Sequence, residues 1–443
     1  MADRPGLPPT VDDRRSQGQG GPAARPGAVL VFAETGPCFR VVPLVEQGQG
    51  QGQTIVVGRA GEEVDVPLAD ERVSRRHAQV RLLGGALAVS DLGSRNGTWL
   101  DGGRIGEQER QVQGDAVLRV GRSLLLLRED VGPLHGPGPA VEGDAVVGPV
   151  LRRALQAVRA TAGVSDTLLV TGESGSGKEL AARAFHAATG ARGPFVAVNC
   201  AAIPEGIAER LLFGARKGAY SGADADADGY LMMADGGTLF LDEIAELGLP
   251  LQAKLLRVLE TREVLPLGAS RARTVNVRVV GATHRDLRVA AAEGRFREDL
   301  FFRIGRPQVA LPPLRSRLED LPLLAARTLG AIDARLSADV SLLESCCLRR
   351  WPGNVRELVK ELRLAAARAL EAGETRVEAR HLDEQAGREL ADSPPSSAPE
   401  LTEEGIAGAL AQSGQNLSAA ARALGVHRTQ LYRAMRKLGM RAK

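Results

Sequence analysis

Residues 172–179 read Gly-Glu-Ser-Gly-Ser-Gly-Lys-Glu and follow the apolar, strand-like run Thr167-Leu168-Leu169-Val170-Thr171. Glycines at this spacing let backbone amides turn inward around phosphates, and the helix that follows adds positive potential at its N-terminus. Gly172, Glu173, Ser174, Gly175, Ser176, Gly177, Lys178 and Glu179 are therefore the candidate cradle, with Lys178 reaching the β- and γ-phosphates of a nucleotide. Glu179 stands where the general motif places a Ser or Thr on Mg²⁺. A second apolar run, Thr238 to Leu241, ends in the adjacent carboxylates Asp242 and Glu243. The C-terminal end of a buried strand is where α/β sheets bind ligands. There Asp242 can hold Mg²⁺ while Glu243 polarises an attacking water as general base. The two segments together point to hydrolysis of a nucleoside triphosphate, not to a glycine-rich turn with a chance lysine.

Elements of several kinds must position these groups. At ~100–200 residues per domain, 443 residues suggest two to four domains, and 44% hydrophobic with 25% charged residues is a globular composition. No apolar run reaches the ~18 residues of a membrane helix, and the first ten residues lack a signal-peptide core. Cys38, Cys200, Cys346 and Cys347 have no metal-ligand spacing and read as reduced thiols of a cytoplasmic protein that engages no membrane. Residues 1–27 are Pro/Gly/Gln-rich and read as a disordered tail, while 129–143 and 386–400 read as linkers. Block 28–128 consists of short alternating stretches broken by Gly and Asp, the pattern of a β-sandwich. Block 144–385 alternates strand-like and helical stretches, implying a parallel sheet with flanking helices and a helical region from about 318. Block 401–443 is helical throughout.

That last block changes the meaning of the net charge of +3. From Leu417 to Lys443 there are seven basic residues and no acidic one, whereas the preceding 416 residues carry 50 basic against 54 acidic. Two helices joined by a tight turn at Gly425-Val426 give helix-turn-helix spacing, with the second helix able to enter a major groove. His427, Arg428, Thr429, Gln430 and Arg433 are candidates for base or phosphate contact, and Arg436 and Lys437 for phosphate. Double-stranded DNA is the implied partner.

Three resemblances gather these readings. With its P-loop, Asp242-Glu243 and the motifs that follow, block 144–385 resembles the AAA+ ATPase domain of the bacterial enhancer-binding proteins that activate sigma-54 RNA polymerase. That family commonly has Glu after the P-loop lysine, so Glu179 fits it. The resemblance implies ATP and Mg²⁺ as cofactors and an active homo-oligomer, a hexameric ring. It further implies that Gly218, Ala219, Tyr220, Ser221, Gly222 and Ala223 form the loop that contacts the sigma factor, with Tyr and Ser replacing the usual Phe and Thr. Asn199 matches the asparagine that pairs with the catalytic glutamate, and Thr283-His284 the sensor position. Arg297 and Arg303 match arginines that reach a neighbouring subunit's ATP, and Arg356 the second sensor. The basic end resembles a Fis-type DNA-binding domain, implying an upstream enhancer site. Gly58-Arg59, Ser74-Arg75-Arg76-His77 and Ser94-Arg95-Asn96-Gly97-Thr98, in order within the β-rich block, resemble the FHA (forkhead-associated) domain, a phosphothreonine-peptide reader. Arg59, Arg75 and Ser74 would donate to the phosphate with help from Arg95, Asn96 would hold the peptide backbone, and His77 and Thr98 would brace the loops. The expected whole is an ATP-driven activator that opens sigma-54 promoters under phosphothreonine control.

Overall fold

The computed structural model of the chain describes residues 24–47, 51–220, 224–389 and Ile406. The chain divides into two compact units, Met1–Gly387 and Arg388–Lys443. His427, Arg428, Thr429, Gln430, Arg433, Arg436 and Lys437 lie outside the described residues, as do Ser221, Gly222 and Ala223.

Alternating residues in the N-terminal strands build a two-sheet sandwich. One sheet runs Gly103–Ile105, Thr98–Leu100, Ala116–Val120, Ser123–Arg128, Gly27–Ala33, Gly36–Pro43. The other runs Arg110–Gln111, Ala86–Asp91, Ala78–Leu83, Thr54–Arg59, Val66–Leu68. Ala28, Leu30, Leu118, Leu125 and Leu127 meet Ile55, Val57 and Val80 between the sheets. The intervening residues Val29, Val31, Val117, Leu124 and Leu126 are equally buried, because they face Leu318, Leu321, Leu324, Leu343 and Cys346 of the helical region. Ser123–Arg128 is consequently buried along its whole length. Sheets covered on both faces carry continuous apolar runs in place of alternation.

The stretch 129–143 is correspondingly not an open linker. It forms a short turn at Gly132–Leu134 and a strand, Ala140–Glu142, paired antiparallel with Ala145–Val147. Arg152 pins it by donating to the carbonyls of Pro137 at 2.7 Å, Gly138 at 3.3 Å and Val147 at 2.7 Å. The sandwich also starts earlier than position 28, since Val131 and Leu44 donate to the carbonyls of Arg25 and Pro26. At the other end, Arg349 and Trp351 hold the carbonyls of Ala386 and Gly387, so the ordered block runs past 385.

Five parallel strands form the central sheet, in the order Phe195–Asn199, Thr238–Asp242, Arg278–Thr283, Thr167–Thr171, Gln308–Ala310. Helices Pro149–Thr161 and Lys178–Ala188 cover one face through Leu151, Leu155 and Phe185. Leu212, Leu255, Leu259 and Leu300 fill the other. Three helices, Leu321–Gly330, Val340–Cys347 and Asn354–Glu371, then build the helical subdomain against the cradle and the sandwich. Among the described residues no helix is long and apolar enough to cross a membrane. All four cysteines are free, and burial pushes the Cys200 and Cys346 thiols up to about 12.

Candidate functional site

The strand Thr167–Thr171 delivers residues 172–177 to the start of helix Lys178–Ala188, where the first sheet crossover leaves a cleft of about 840 Å³. Gly175 and Gly177 adopt φ of 73° and 111°, a region that favours glycine. A Cβ at Gly175 would stand 2.2 Å from the Gly353 carbonyl oxygen, so the loop meets the helical subdomain through a contact that glycine alone permits. Ser176 Oγ is buried without a hydrogen-bond partner among the described residues and lines the cleft. A buried hydroxyl in that state favours an incoming acceptor, which a phosphate oxygen supplies.

Lys178 Nζ donates to the Gly172 carbonyl at 3.1 Å and lies 3.3 Å from Glu243 Oε1. Asp242 closes its strand, and Glu243 follows at φ 51° with its amide donating to Asp242 Oδ1 at 3.1 Å. Burial pushes the Asp242 carboxyl above its ordinary value; Lys178 opposes this and the Glu243 charge adds to it. Burial acts on Glu243 in the same direction, but Lys178 and then His284 outweigh it, so its carboxyl sits below the ordinary glutamate value. The pair thus holds an ionised carboxylate able to accept a proton beside a less acidic one, next to an ammonium.

The helical subdomain closes the other wall. Arg356 donates to Ser174 Oγ at 3.1 Å. Arg315 grips the Glu173 carboxylate at 2.8 and 2.6 Å and is the main reason its carboxyl lies below the usual range. Buried Asn354 donates to Glu173 Oε2 at 3.1 Å and to the Ser174 carbonyl at 3.0 Å, while its Oδ1 accepts from Leu314 N–H at 2.7 Å. Arg317 donates to the Ser176 carbonyl at 2.8 Å.

A second site is built on the sandwich. The buried His77 ring accepts the Ser74 amide at Nδ1, 3.0 Å, which leaves Nε2–H to donate to the Gly97 carbonyl at 2.9 Å. Asp91 accepts from Ser94 N–H at 2.7 Å and Thr98 Oγ1 at 2.6 Å. Burial raises the Asp91 carboxyl, yet the bonds from Ser94 and Thr98 prevail and hold it below its ordinary value. The Arg59 amide donates to the Ser74 carbonyl, the Arg95 amide to Ser74 Oγ at 3.1 Å, and Asn96 Nδ2 to the Arg72 carbonyl at 2.6 Å. Three loops distant in sequence are thereby locked into one surface. Exposed Arg75, 3.4 Å from Glu62, and half-buried Arg59 stand at its edge.

Family models match the chain in three places: the sigma-54 interaction domain at residues 146–310, the FHA domain at 55–121, and the bacterial regulatory protein, Fis family, at 404–438. Over 225 residues the chain is 44% identical to the transcriptional regulatory protein GlrR of Escherichia coli strain K12, covering 49% of this chain and 51% of that one. Over 306 residues it is 42% identical to the anaerobic nitric oxide reductase transcription regulator NorR of Citrobacter koseri, covering 64% and 60%. The crystal structure of NtrX from Brucella abortus in complex with ATP superimposes with a TM-score of 0.50 at 30% identity, covering 68% of this chain and 70% of that one. The chain belongs to the sigma-54-dependent transcriptional regulators. It spans about half the length of the curated relatives it matches, 51% in the case of GlrR. As a member of that family it carries an FHA sandwich, a central AAA+ ATPase domain and a segment that matches the Fis family, in that order.

Within this sigma-54 regulator the expected site residues fall into three groups. Residues 174–179, together with Asp242, Glu243 and Arg356, line the cleft, while Gly172 meets Lys178 through its carbonyl and Glu173 turns to Arg315. Thr283 ends the neighbouring strand, and His284 Nδ1 lies 2.8 Å from Glu243 Oε2. Asn199 borders the cleft, but its Oδ1 accepts from the Ala201 amide at 3.0 Å and does not meet Glu243; Lys178 and His284 take that place. Arg297 and Arg303 stand away from the cleft: Arg297 pairs with Asp299 at 2.7 Å, and Arg303 donates to the Leu259 carbonyl at 3.0 Å. Of the loop expected from the sequence to contact the sigma factor, Gly218, Ala219 and Tyr220 are described, with Tyr220 exposed and its hydroxyl accepting from Arg210 at 2.8 Å. Asp226 fastens the loop's base through Arg216 and the Lys217 amide.

Several contributors were not read from the sequence. Asp91 could have been, since it precedes Ser94 and Thr98 by a loop's length in the segment already singled out. Arg315, Arg317 and Asn354 could not, because their cradle partners lie 142, 141 and 181 residues away.

Proposed function

We propose that this chain binds DNA upstream of promoters and uses ATP hydrolysis in a homo-oligomeric ring, a hexamer, to remodel sigma-54 RNA polymerase into open complexes. Its FHA domain tunes that activity by binding a phosphothreonine protein or peptide, and the chain acts in the cytoplasm. The single observation that carries the reading is the grouping of Lys178, Asp242, Glu243 and the orphaned Ser176 hydroxyl around one cleft.

In this reading the P-loop amides and Lys178 hold the ATP phosphates, Glu243 takes a proton from the attacking water, and Asp242 is the residue that would hold Mg²⁺. Half-buried Asp242, an oxygen donor beside the phosphate cradle, fits a hard divalent cation. When bound, Mg²⁺ neutralises charge on the phosphates. Arg356 reports nucleotide state to the helical subdomain through Ser174. Arg297 and Arg303, remote from their own cleft, serve the cleft of the next subunit, and a guanidinium supplied in trans contributes ~10³–10⁵ in rate. The Tyr220 loop presses on the sigma factor. The seven basic groups of the C-terminal end meet DNA, so affinity for DNA falls steeply with salt.

The test is ATP-dependent open-complex formation on a sigma-54 promoter by the purified full chain, with and without a phosphothreonine peptide. Open complexes that depend on ATP are the expected result. Their absence under both conditions overturns the reading.

A further inference from the structure

The FHA sandwich and the nucleotide cradle are joined by a buried chain of charges. Its middle is the turn 317–320 that opens the helical subdomain, where Arg317, Glu319 and Asp320 are all buried. Two acids stand there beside one base, and that base contacts Asp320, so Glu319 has no ion-pair partner from within the turn. Arg317 contacts Asp320 at 3.4 Å through Nη1 and holds the Ser176 carbonyl of the P-loop at 2.8 Å through Nη2. The balancing cation comes from another domain. Arg128, the last residue of the sandwich strand Ser123–Arg128, places Nη2 3.5 Å from Glu319 Oε2, with its side chain 7% exposed. Asp115 holds the same guanidinium from the sandwich side.

Buried charges tolerate little imbalance. Without Arg128, Glu319 would have to be neutralised from within the turn, and the cation at hand is Arg317. Answering Glu319 means giving up the Ser176 carbonyl, which belongs to the phosphate cradle. We infer that Arg317 is a positioning residue of the P-loop and that Arg128 of the FHA domain keeps it there by countering the charge of Glu319. The inference rests on the reading of the cleft as a nucleotide site. It gives the FHA domain a route to the nucleotide site that does not pass through DNA or sigma factor: any displacement of the sandwich from the helical subdomain removes Arg128 and loosens the cradle.

The experiment measures binding of a fluorescent ADP analogue to the full-length chain, alongside affinity for a phosphothreonine peptide as a check on the FHA fold. Arg128→Met should weaken ADP binding about tenfold or more, the size expected when a charge-assisted hydrogen bond to the cradle is lost. Peptide affinity should stay the same, since Arg128 touches none of the three loops. Arg317→Met should weaken ADP binding at least as much. The decisive variant is the double change Arg128→Met with Glu319→Gln, which removes the unpaired acid and should restore ADP binding towards the starting value. A role for Arg128 in domain docking alone would give no such rescue. Unchanged ADP affinity in Arg128→Met, or a double variant no better than the single, overturns the relay while leaving the nucleotide site standing. Failure of the unmodified chain to bind ADP would overturn the site and the relay together.

Discussion

Asn354 offers the sharpest test of how the helical subdomain grips the cradle. It is fully buried, and its backbone sits at φ 51°, a conformation asparagine tolerates better than other non-glycine residues. Its side chain accepts from Leu314 N–H and donates to Glu173 and the Ser174 carbonyl. Asn354→Ala strips the partner from at least one buried backbone donor, at about 1–3 kcal/mol for each group left unsatisfied. The left-handed backbone adds roughly 1–2 kcal/mol for alanine. A destabilisation of about 2–5 kcal/mol is therefore expected. Asn354→Gly should lie roughly 1–2 kcal/mol above the alanine variant, because it removes the backbone term and keeps the hydrogen-bond term. Trp351 is fully buried and its carbonyl accepts the Asn354 amide at 2.7 Å, so its fluorescence reports this part of the subdomain directly. Urea unfolding followed by that signal in a Trp99→Phe background, where it is the one tryptophan left, would give the values. A loss below ~1 kcal/mol for alanine, or glycine no better than alanine, would refute the reasoning.

The other expectations concern pH, the FHA loops and the oligomer. Burial, reinforced by Glu319 and opposed by Arg317, drives the Asp320 carboxyl up to about 7. A folded pKa above the unfolded value of ~3.9 means that the stability it lends is full below that value and is lost as pH rises to about 7. Asp320→Asn should flatten the dependence of the unfolding midpoint on pH across that window, and an undiminished slope would assign the titration elsewhere. Asp91→Ala frees Ser94 and Thr98 and should weaken binding of a phosphothreonine peptide by about tenfold or more in an anisotropy titration, with nucleotide affinity unaltered. Glu243→Gln should lower ATP turnover by ~10²–10⁴ while retaining nucleotide. Mixing that variant with an inactive Arg297→Ala protein should recover part of the turnover if Arg297 serves a neighbour, and no recovery would place it in its own subunit's chemistry.

What could be read from the sequence was set by how far each interaction reaches along the chain. The cradle is local: glycines at fixed offsets, a lysine and a strand-to-helix transition suffice, so residues 172–179 stand where their spacing puts them. Asp242 and Glu243 were equally plain, because strand Thr238–Asp242 is apolar until its last residue. The group that answers Glu243 was not. Asn199 ends one strand bordering the site and His284 follows the end of another, and which of them meets the carboxylate depends on rotamer and loop geometry that spacing does not encode. Charged residues deep in the protein were the least legible, since hydropathy assigns Arg128, Arg317, Glu319 and Asp320 to the surface.

One pattern in the sequence does point to the interface. Leu124 to Leu127 breaks the alternation of the other sandwich strands, and four consecutive leucines cannot all point into one core. Two of them face the sandwich interior and two face the helical subdomain. A strand with that pattern, closing a domain and followed by Arg128, implies that something covers the outer face. The covering element is the part of the ATPase domain that bears Arg317 and Asn354, so the interface between the domains and the support of the nucleotide cradle are one structure. Pro- and Gly-rich composition argued for a loose tether at 129–143, but composition describes the chain's freedom when nothing holds it. Here the apolar faces on both sides, and Arg152 across two of its carbonyls and that of Val147 just beyond, leave the tether no freedom to use.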